Sequence, residues 1–523
     1  MVSLRPILEE VVCPHSPEGL LDLLGPAPGS VLLRSRLFDS PQARYSLVAI
    51  RPFLTFRSNG ARCELEMGEE FQSAPAPVPQ FGDPWHRLDE LMLRYELLDD
   101  LDRPFPLGGC FGYWGYDLKN FVEPRLTRRA VNDLELPDCH VGFYDSLVVF
   151  DHRLEKTWIV STGLRPDGSR DPIRARRQLE RWKERLALEP RPLPGPPPGR
   201  AGSGLPGGTP ASSPRPLPPA WSSSLSQAEF IRAVERAQRY IRAGDIYQVN
   251  LSHRLTMPSL LGGWDFYQQL SAVSPAPFSA FLHAGDFQVA SSSPELFLRM
   301  SGSHAMTRPI KGTRPRAADP TRDAQLGYEL QTSPKERAEL VMITDLLRND
   351  LGRVCEYGSV QVPELMRLER FPQVQHLVST VEGNLWPGLT HFQAFARCFP
   401  GGSITGAPKI RAMEIIDELE PVTRGPYTGC LGYLGFNRES QLSILIRTAL
   451  VRSGLLYYHA GAGIVADSSP EAEYEETLAK ARGFLAAVSA DPAGSGAGAV
   501  THPDTHPDTH PDTHPDTAPR PAE

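Results

Sequence analysis

The chain has 523 residues and a formal net charge of −8, and 40% of its residues are hydrophobic. This length suits two to four domains with sizeable cores, which excludes a small disulfide-stabilised scaffold. The 54 Lys and Arg residues form no basic track, so we expect no nucleic-acid partner.

The cysteines and the N-terminus indicate the compartment. Seven scattered cysteines without a Cys-x-x-Cys pair favour reduced thiols over a disulfide framework or a zinc site. No window approaches the roughly 20 apolar residues of a membrane span, and the N-terminal MVSLRPILEEVV lacks the apolar run of a secretory signal. We therefore expect a cytoplasmic protein without a membrane partner.

Residues 1–188 predict an N-terminal domain built on antiparallel sheet. The runs SVLLRSRL, RYSLVAI, CHVGFYDSLVVF and KTWIVST are β-rich, while residues 85–97 and 172–188 are helical in pattern. Residues 189–224 are rich in Pro, Gly and Ser with almost nothing apolar to bury, which predicts a disordered interdomain linker.

Residues 225–490 predict a second domain that mixes helices with antiparallel strands. Ser226 and Glu229 have the spacing of a capping box, and the helix they begin should end at Gly244. Further helices should start after Ser333 and Ser469. Strands are predicted at IYQVNLSHRL, FSAFLHAGDFQVASS, GCLGYLGF and LSILIRTALV. Together the two blocks predict an α+β fold without the βαβ rhythm of a Rossmann sheet.

The C-terminal residues 491–523 include four consecutive THPD units. This period of four has no hydrophobic face, and each histidine precedes a proline that opposes helix. We expect a disordered tail.

Two motifs suggest chemistry that the residues do not support. GGSITGAPK, residues 401–409, resembles a phosphate loop, but its lysine lacks the preceding Gly and the following Ser or Thr. TGCLGYLG around Cys430 resembles a glutaminase nucleophile turn, but no His-x-Glu partner follows it. A buried structural cysteine is the better interpretation.

Two acidic pairs, one arginine and one glycine turn indicate a site. Glu336 and Glu339 share one helix face, and a second pair repeats this spacing at Glu473 and Glu476. Such acidic pairs usually lie on a solvated surface. Here Glu336 can complete a capping box and Glu476 can pair with a lysine, so neither glutamate needs a metal. Beside them lie Arg447, predicted inside the apolar strand ILIRTAL, and the AGAGI turn with Gly461 and Gly463. Anion-binding groups beside carboxylates suggest a divalent metal that bridges a substrate carboxylate.

The chain resembles the chorismate-utilising enzymes over nearly all of residues 225–488. The segments that carry the resemblance are GDIYQVNLS, SSSPELFL, RPIKGTRPR, DLLRNDLGRVCEYGSV, VQHLVSTVEG, GSITGAPKIRAMEIIDELE, IRTAL and HAGAGIVADSSPEAEYEETLAKA. PLGGCFGYWGYDL and VLLRS in the first block are similar to the N-terminal domain of the amino-adding members. The resemblance implies an anthranilate-synthase-component-I-like fold, with antiparallel sheets and helices packed outside.

Two positions separate the chemistries within this family. Isochorismate and salicylate synthases carry a lysine base where this chain has Gln248, and a glutamine cannot deprotonate water at pH 7. Anthranilate synthases resemble PIAGTRPRG, whereas this chain has Lys311 in PIKGTRPR, as aminodeoxychorismate synthases do. The resemblance therefore implies Lys311 as a nucleophile and a covalent adduct that ammonia resolves.

The resemblance also implies roles for other residues. Glu295 would be the general acid, and Mg²⁺ would be held by Glu339 and Glu476, with Glu336 and Glu473 in its outer sphere. The substrate would be bound by Tyr427, Arg447, Gly461, Gly463, His376, Ser403, Thr405 and Gln248. A core histidine is an equal interpretation of His376. Ser35 marks a possible N-terminal ligand pocket, but the preceding Arg34 replaces the acidic residue usual in the family's tryptophan pocket.

The resemblance therefore implies an aminotransferase that converts chorismate and ammonia to 4-amino-4-deoxychorismate, for para-aminobenzoate and folate biosynthesis. A separate glutamine amidotransferase subunit would supply the ammonia. The alternatives are an anthranilate synthase component I, for tryptophan biosynthesis, and a non-catalytic scaffold that docks the glutaminase.

Overall fold

The computed structural model describes residues 5–35, 43–71, 78–97, 103–189, 221–371 and 374–489. The predicted tail and residues 190–220 of the predicted linker lie outside these ranges. The helices before the linker are α1 (Pro17–Leu24), α2 (Pro84–Tyr95), α3 (Lys119–Val122) and α4 (Pro172–Leu186). The strands there are β1 (Ile7–Val11), β2 (Val31–Arg34), β3 (Tyr45–Ala49), β4 (Leu54–Asn59), β5 (Arg62–Met67), β6 (Gln80–Phe81), β7 (Gly109–Trp114), β8 (Cys139–Tyr144), β9 (Ser146–Asp151) and β10 (Lys156–Ser161).

The second block begins with a short strand and continues to the end of the described chain. Its strands are β11 (Ser222–Ser223), β12 (Gln248–Pro258), β13 (Phe278–His283), β14 (Gln288–Ser293), β15 (Leu296–Ser301), β16 (His304–Arg308), β17 (Ile310–Pro315), β18 (Gln361–Arg370), β19 (Val374–Asn384), β20 (Gly406–Ala407), β21 (Cys430–Gly435), β22 (Glu439–Ile444), β23 (Thr448–Arg452) and β24 (Leu455–Ile464). Its helices are α5 (Gln227–Arg242), α6 (Gly263–Val273), α7 (Pro320–Thr332), α8 (Pro334–Gly352), α9 (His391–Cys398), α10 (Lys409–Leu419) and α11 (Pro470–Ser489).

Within the described ranges the strands form two 12-stranded sheets. The first has the order β1-β10-β9-β3-β2-β13-β14-β23-β24-β12-β11, with β20 also paired to β12. The second has the order β17-β19-β16-β15-β22-β21-β7-β8-β4-β5-β6, with β18 also paired to β19. Neighbouring strands run antiparallel, and this confirms the predicted α+β class with antiparallel sheets.

The two blocks on either side of the linker share both sheets. In the first sheet β2 pairs with β13, with Leu33 opposite Ala280. In the second sheet β7 pairs with β21, with Gly112 opposite Gly432. Each block therefore completes the hydrogen-bond ladders of the other, which the change in composition at the linker does not reveal.

The main core lies between the two sheets. Alternate residues of one strand enter different clusters: in β9, Val149 belongs to the cluster that also contains Phe111 of the second sheet, whereas Val148 packs outward with Trp182 of α4. Both faces of such strands are buried, which explains the unbroken apolar runs in the sequence. Helices α1, α4, α6 and α11 cover the outer face of the first sheet, as expected.

Most helix boundaries predicted from capping residues are confirmed. In α5 the Ser226 Oγ accepts from the Glu229 N–H, and the Glu229 carboxylate accepts from the Ser226 N–H at 2.8 Å. Helix α8 follows Ser333, and α11 begins at Pro470. The helices predicted at residues 85–97 and 172–188 end at Tyr95 and Leu186.

Two predictions need correction. Ser222 and Ser223, placed in the predicted linker, form β11 and pair with Thr256 and Leu255, because the edge of β12 offers free backbone groups there. The run LSILIRTALV is not one strand, since β22 and β23 are separated by a bend at Arg447.

Among the helices of the described ranges, none combines the length and the apolar character needed to cross a membrane. All seven cysteines are unpaired thiols, and all except Cys13 are buried.

The shared sheets predict that the linker can be cut without separating the blocks. A protease site placed between residues 190 and 220 and then cleaved should leave two fragments that co-elute in size-exclusion chromatography. Fragment 1–188 expressed alone should show no cooperative thermal unfolding, because β2 and β7 each lose the strand on one side, β13 and β21 respectively. Separate elution of the cleaved fragments under native conditions would contradict the shared-sheet arrangement.

Candidate active site

Strands β12 and β24 form one wall of the candidate site. A side chain at Gly461 would place its Cβ 2.7 Å from the Tyr427 hydroxyl, and one at Gly463 would place it 2.4 Å from Gln248 Nε2. Both contacts are closer than real Cβ atoms allow. Glycine at these positions therefore lets the strand backbone approach Tyr427 and Gln248.

Tyr427 is held on both faces of its ring. It stacks on His459 with the ring centroids 4.9 Å apart and the planes at 11°, and the Arg424 guanidinium lies 5.6 Å from its centroid. Its side chain also hydrogen-bonds with Asn250. Burial raises the pKa of Tyr427 to about 12, so the phenol keeps its proton at pH 7 and can donate a hydrogen bond to an anion.

Arg447 lies in the bend between β22 and β23, where its φ is 50°. The left-handed backbone interrupts the predicted strand. Its charge adds to burial in lowering the pKa of His376, and it partly offsets the rise that burial causes in the pKa of Tyr458. Within the described residues no carboxylate pairs with this guanidinium, so it is available to a carboxylate ligand.

A buried ion pair lies beneath this wall. Arg424 Nε and Nη2 contact the two Glu420 carboxylate oxygens at 2.8 and 2.6 Å, and the side chains are only 1% and 5% exposed. One oxygen of Glu420 also accepts from the backbone N–H and the hydroxyl of Ser252 in β12, at 2.8 and 2.9 Å. The pair is therefore bidentate and further hydrogen-bonded, as a buried pair requires.

The remaining N–H groups of Arg424 join the segments around the site. They donate to the Ile404 carbonyl at 3.2 Å, to Thr428 Oγ1 at 3.1 Å and to the Asn250 carbonyl at 2.7 Å. Ile404 lies between Ser403 and Thr405, and Thr428 follows Tyr427. One neutralised guanidinium thus fixes three segments that carry predicted substrate contacts.

Glu295 lies directly before β15 and is buried. Burial raises the pKa of its carboxyl, opposed by hydrogen bonds from Ser403 and the Ile310 backbone and by the charge of Lys311. The direction agrees with the expectation for a general acid, because such a carboxyl retains its proton to higher pH than usual.

Lys311 lies in β17, opposite Leu377 of β19. Its positive charge acts on the carboxyls of Glu295, Glu339 and Glu476, lowering the pKa of each against the effect of burial. The structure therefore brings the predicted nucleophile, the predicted acid and the two predicted metal ligands together from β17, the turn before β15, α8 and α11.

The acids of α8 face β17. Glu336 lies 3.6 Å from Arg314 in an ion pair, and a Cβ on Gly312 would come within 2.9 Å of its carboxylate. Burial raises the pKa of Glu339, and the negative charges of Glu336 and Glu476 raise it further.

The acids of α11 have protein partners. The buried Glu473 accepts a hydrogen bond from Ser468 Oγ at 2.6 Å. Glu476 is half exposed and pairs with Lys480 at 2.7 Å, as predicted for an acidic residue on a solvated helix face. Lys480 also donates to the Gly461 carbonyl at 2.9 Å, which ties α11 to the glycine turn. Burial alone would raise the pKa of Glu476, but the charges of Lys480, Lys335 and Lys311 together lower this pKa.

The predicted metal site is open rather than closed. Among the described residues no group of three His, Cys, Asp or Glu side chains is close enough to enclose a metal ion. Glu339 and Glu476 nevertheless interact as like charges across two helices. Oxygen donors in this number fit Mg²⁺, which uses one or two carboxylates and completes its shell with water and substrate oxygens. Mg²⁺ at this position stays a prediction.

His376 is buried in β19 beside Lys311's strand. Its Nδ1 lies 3.0 Å from Thr313 Oγ1 and 3.3 Å from the Gly312 carbonyl. Burial lowers its pKa to about 4, so the imidazole is neutral at pH 7. Its burial fits a core histidine and its proximity to Arg447 fits a pocket residue, so both interpretations stay open.

The remaining predicted substrate residues differ in what occupies their polar groups. Thr405 donates its hydroxyl to the Gly401 carbonyl at 2.7 Å, which stabilises its own loop. Ser403 bonds with Glu295. Gln248 is 2% exposed, and within the described residues its Oε1 has no hydrogen-bond partner.

Ser35 lies apart from these residues. Its hydroxyl donates to the Tyr45 carbonyl at 2.8 Å, and its N–H donates to Ser46 Oγ at 3.0 Å. It lines a cavity of about 30 Å³ together with Tyr45, Phe278 and Tyr433. The N-terminal ligand pocket stays a prediction.

The sequence analysis missed Arg424 and Glu420. Their spacing of four residues is the usual pattern of a solvated pair, and only the flanking segments GSIT and YTG indicate otherwise. Two rejections agree with the structure: Lys409 of the loop-like motif pairs with the buried Asp350 at 2.7 Å, and Cys430 is buried within β21.

Comparisons with known proteins identify relatives across almost the whole chain. A family model described as chorismate binding enzyme matches residues 34–486. The chain is 39% identical to aminodeoxychorismate synthase component 1 of Klebsiella aerogenes, covering 90% of this chain and 96% of the relative. It is 41% identical to anthranilate synthase component 1 of Thermus thermophilus, covering 91% and 95%. The crystal structure of anthranilate synthase component I from Streptococcus pneumoniae superposes with a TM-score of 0.70 at 30% identity, covering 85% and 93%.

The buried pair predicts a large loss of stability when one partner is removed. Arg424→Met should lower the free energy of unfolding by about 3–5 kcal/mol, because Glu420 is left as an uncompensated buried charge. Denaturant titration followed by circular dichroism measures this. The double variant Arg424→Met/Glu420→Leu should recover much of the loss, and a single variant as stable as the wild type would refute the interpretation.

Proposed function

Since the chain belongs to the family of chorismate binding enzymes, we propose that it aminates chorismate to 4-amino-4-deoxychorismate, as an aminodeoxychorismate synthase component I does. The observation that supports this most is the position of Lys311 beside Glu295. The Glu295 carboxylate accepts a hydrogen bond from the backbone of Ile310, the residue before Lys311. A nucleophile and a carboxyl group whose pKa is raised by burial, on adjoining segments, suit the displacement of a hydroxyl group from a ring.

The reaction has two substitutions. In the first, Lys311 gives up its ammonium proton to solvent, and the amine forms a bond to a ring carbon of chorismate. The ring electrons shift, and the C4 hydroxyl leaves as water with a proton from Glu295. In the second, ammonia forms the new C4–N bond and the bond to Lys311 breaks. The proton lost by nitrogen returns to Glu295, so the acid is restored for the next turnover.

The other end of the substrate would be bound by the wall of β24. Arg447 has no carboxylate partner among the described residues and can form a bidentate contact with the enolpyruvyl carboxylate. Tyr427 keeps its proton because burial raises its pKa to about 12, so it donates to the same carboxylate. The backbone at Gly461 and Gly463 is free of side chains and can approach the anion closely.

The ring carboxylate would lie toward the acids of α8 and α11. Glu339 and Glu476 would hold Mg²⁺, which when bound supplies positive charge to that carboxylate. Glu336 and Glu473, already engaged by Arg314 and Ser468, would orient the first pair. We further propose that a separate glutamine amidotransferase subunit supplies the ammonia.

Anthranilate synthesis is the second candidate function. The identity to an anthranilate synthase component 1 is 41%, against 39% to an aminodeoxychorismate synthase component 1. Such a reaction would need no lysine nucleophile and would release pyruvate.

Replacement of Lys311 separates the two reactions. With chorismate, Mg²⁺ and ammonium salt, the wild type should release 4-amino-4-deoxychorismate, and Lys311→Ala should lose most of this product because no other group can form the adduct. Chromatography of the products and mass spectrometry of the quenched Lys311 peptide measure both effects. Lys335→Ala is the matched control, since Lys335 also faces Glu339 and Glu476 but has no proposed covalent role.

Three results would refute the assignment. Wild-type product formation by Lys311→Ala would make the lysine a bystander. Anthranilate and pyruvate from the wild type would establish the second candidate. If the wild type does not turn over chorismate, the protein would be a non-catalytic scaffold that only docks the glutaminase.

The metal assignment makes a separate prediction. Glu339→Gln and Glu476→Gln should raise the Mg²⁺ concentration needed for half-maximal activity by about tenfold or more, because each removes one anionic ligand. Titration of Mg²⁺ after chelation measures this. Glu475→Gln, on the neighbouring exposed position of α11, is the control and should behave as the wild type. Full activity in excess EDTA would exclude the metal.

A further inference from the structure

A small cavity lies beside the Tyr427 ring. Its volume is about 30 Å³, and its lining includes Leu136, Arg254, Val289, Thr448, Tyr457 and His459. A cavity needs roughly 10–15 Å³ to hold one water-sized molecule. The space therefore fits one such molecule and excludes chorismate.

Two buried polar atoms on this lining lack partners. His459 Nε2 and Arg254 Nε are both enclosed, and neither has a hydrogen-bond partner among the described residues. Leaving a buried donor or acceptor unpaired costs about 1–3 kcal/mol. One is an N–H donor, and the other is an acceptor in a neutral imidazole that carries its proton on Nδ1. Together they fit a small molecule that both accepts and donates a hydrogen bond.

The hydrogen-bonding groups around the cavity disfavour an ammonium ion. Arg254 and Arg424 both line it. Burial, followed by the charges of these two guanidinium groups, holds the pKa of His459 well below its usual value. Both guanidinium groups are already paired, Arg254 with Asp133 and Arg424 with Glu420. An ammonium ion has no lone pair to accept from Arg254 Nε–H, whereas a neutral molecule with a lone pair can accept that hydrogen bond.

The cavity lies between the surface and the candidate active site. On the outer side, Asp133 is 38% exposed and forms an ion pair with Arg254. On the inner side, the Tyr427 ring lines the cavity while its hydroxyl points to Gly461. Thr448, another lining residue, directly follows Arg447. The thickness of one aromatic ring thus separates this cavity from the proposed carboxylate pocket.

We propose that this cavity binds a single molecule of neutral ammonia on its way to the substrate. The ammonia lone pair accepts from Arg254 Nε–H, and one of its N–H groups donates to His459 Nε2. Water has the same size and hydrogen-bonding capacity, and the kinetic test distinguishes the two. The inference rests on the proposed amination of chorismate.

Replacement of His459 tests this site. His459→Phe keeps an aromatic ring stacked on Tyr427 but removes the acceptor. With ammonium salt as the nitrogen source, the KM for ammonia should rise about fivefold to tenfold, the effect of one lost hydrogen bond, while the KM for chorismate stays near that of the wild type.

A second variant fills the cavity without touching its polar atoms. Val289→Leu adds volume at a lining position and should raise the KM for ammonia as well. Val148→Leu is the matched control, because Val148 is equally buried but lies on the outer face of the first sheet. Circular dichroism melts of all variants separate an effect on binding from an effect on folding.

Each outcome decides the inference. A raised KM for ammonia in His459→Phe and Val289→Leu, but not in Val148→Leu, supports it. An unchanged KM for ammonia in His459→Phe would overturn it at any melting temperature, and a lowered melting temperature beside it would mean a structural water site. If the wild type forms no ammonia-dependent product, the proposed function fails and the inference fails with it.

Discussion

The candidate site depends on the buried ion pair between Arg424 and Glu420. Its charges cancel, so it contributes no net field to a dianionic substrate and acts through geometry instead. The guanidinium reaches the backbone of β12 at Asn250 and the loop at Ile404, while the carboxylate reaches Ser252. Arg447 has the opposite character, with a charge that no described carboxylate neutralises. One arginine therefore positions the pocket, and the other is available for the ligand.

The shared sheets explain how such a site can be precise. Strands from both sides of the linker alternate within each sheet, so the walls of the site belong to ladders that span the whole molecule. The acids lie on α8 and α11, whose N-terminal ends are set by Ser333 and Pro470. Their mutual repulsion is offset by Lys311, Lys335 and Lys480. The surrounding lysines thus reduce the repulsion between the carboxylates, and a bound divalent cation would reduce it further.

Much of the fold was accessible to sequence reasoning because its signals are local. The capping box of α5 and the serine before α8 act within four residues, and alternating or continuous apolar runs report burial strand by strand. The exceptions have a common cause. The bend at Arg447 and the pairing of Ser222–Ser223 depend on strands that are distant in sequence. The local sequence therefore does not predict them.

The sequence by itself determined the fold class, most helix starts and the residues that make up the candidate chemistry, because ordered motifs identify their family without coordinates. Only the tertiary structure showed that Lys311, Glu295, Glu339 and Glu476 meet, that the two blocks share their sheets, and that Arg424 holds the pocket. It also revealed the cavity between Tyr427 and the surface, with His459 and Arg254 facing the same space. These features are distances between residues far apart in the chain, and such distances are set by packing rather than by any local pattern.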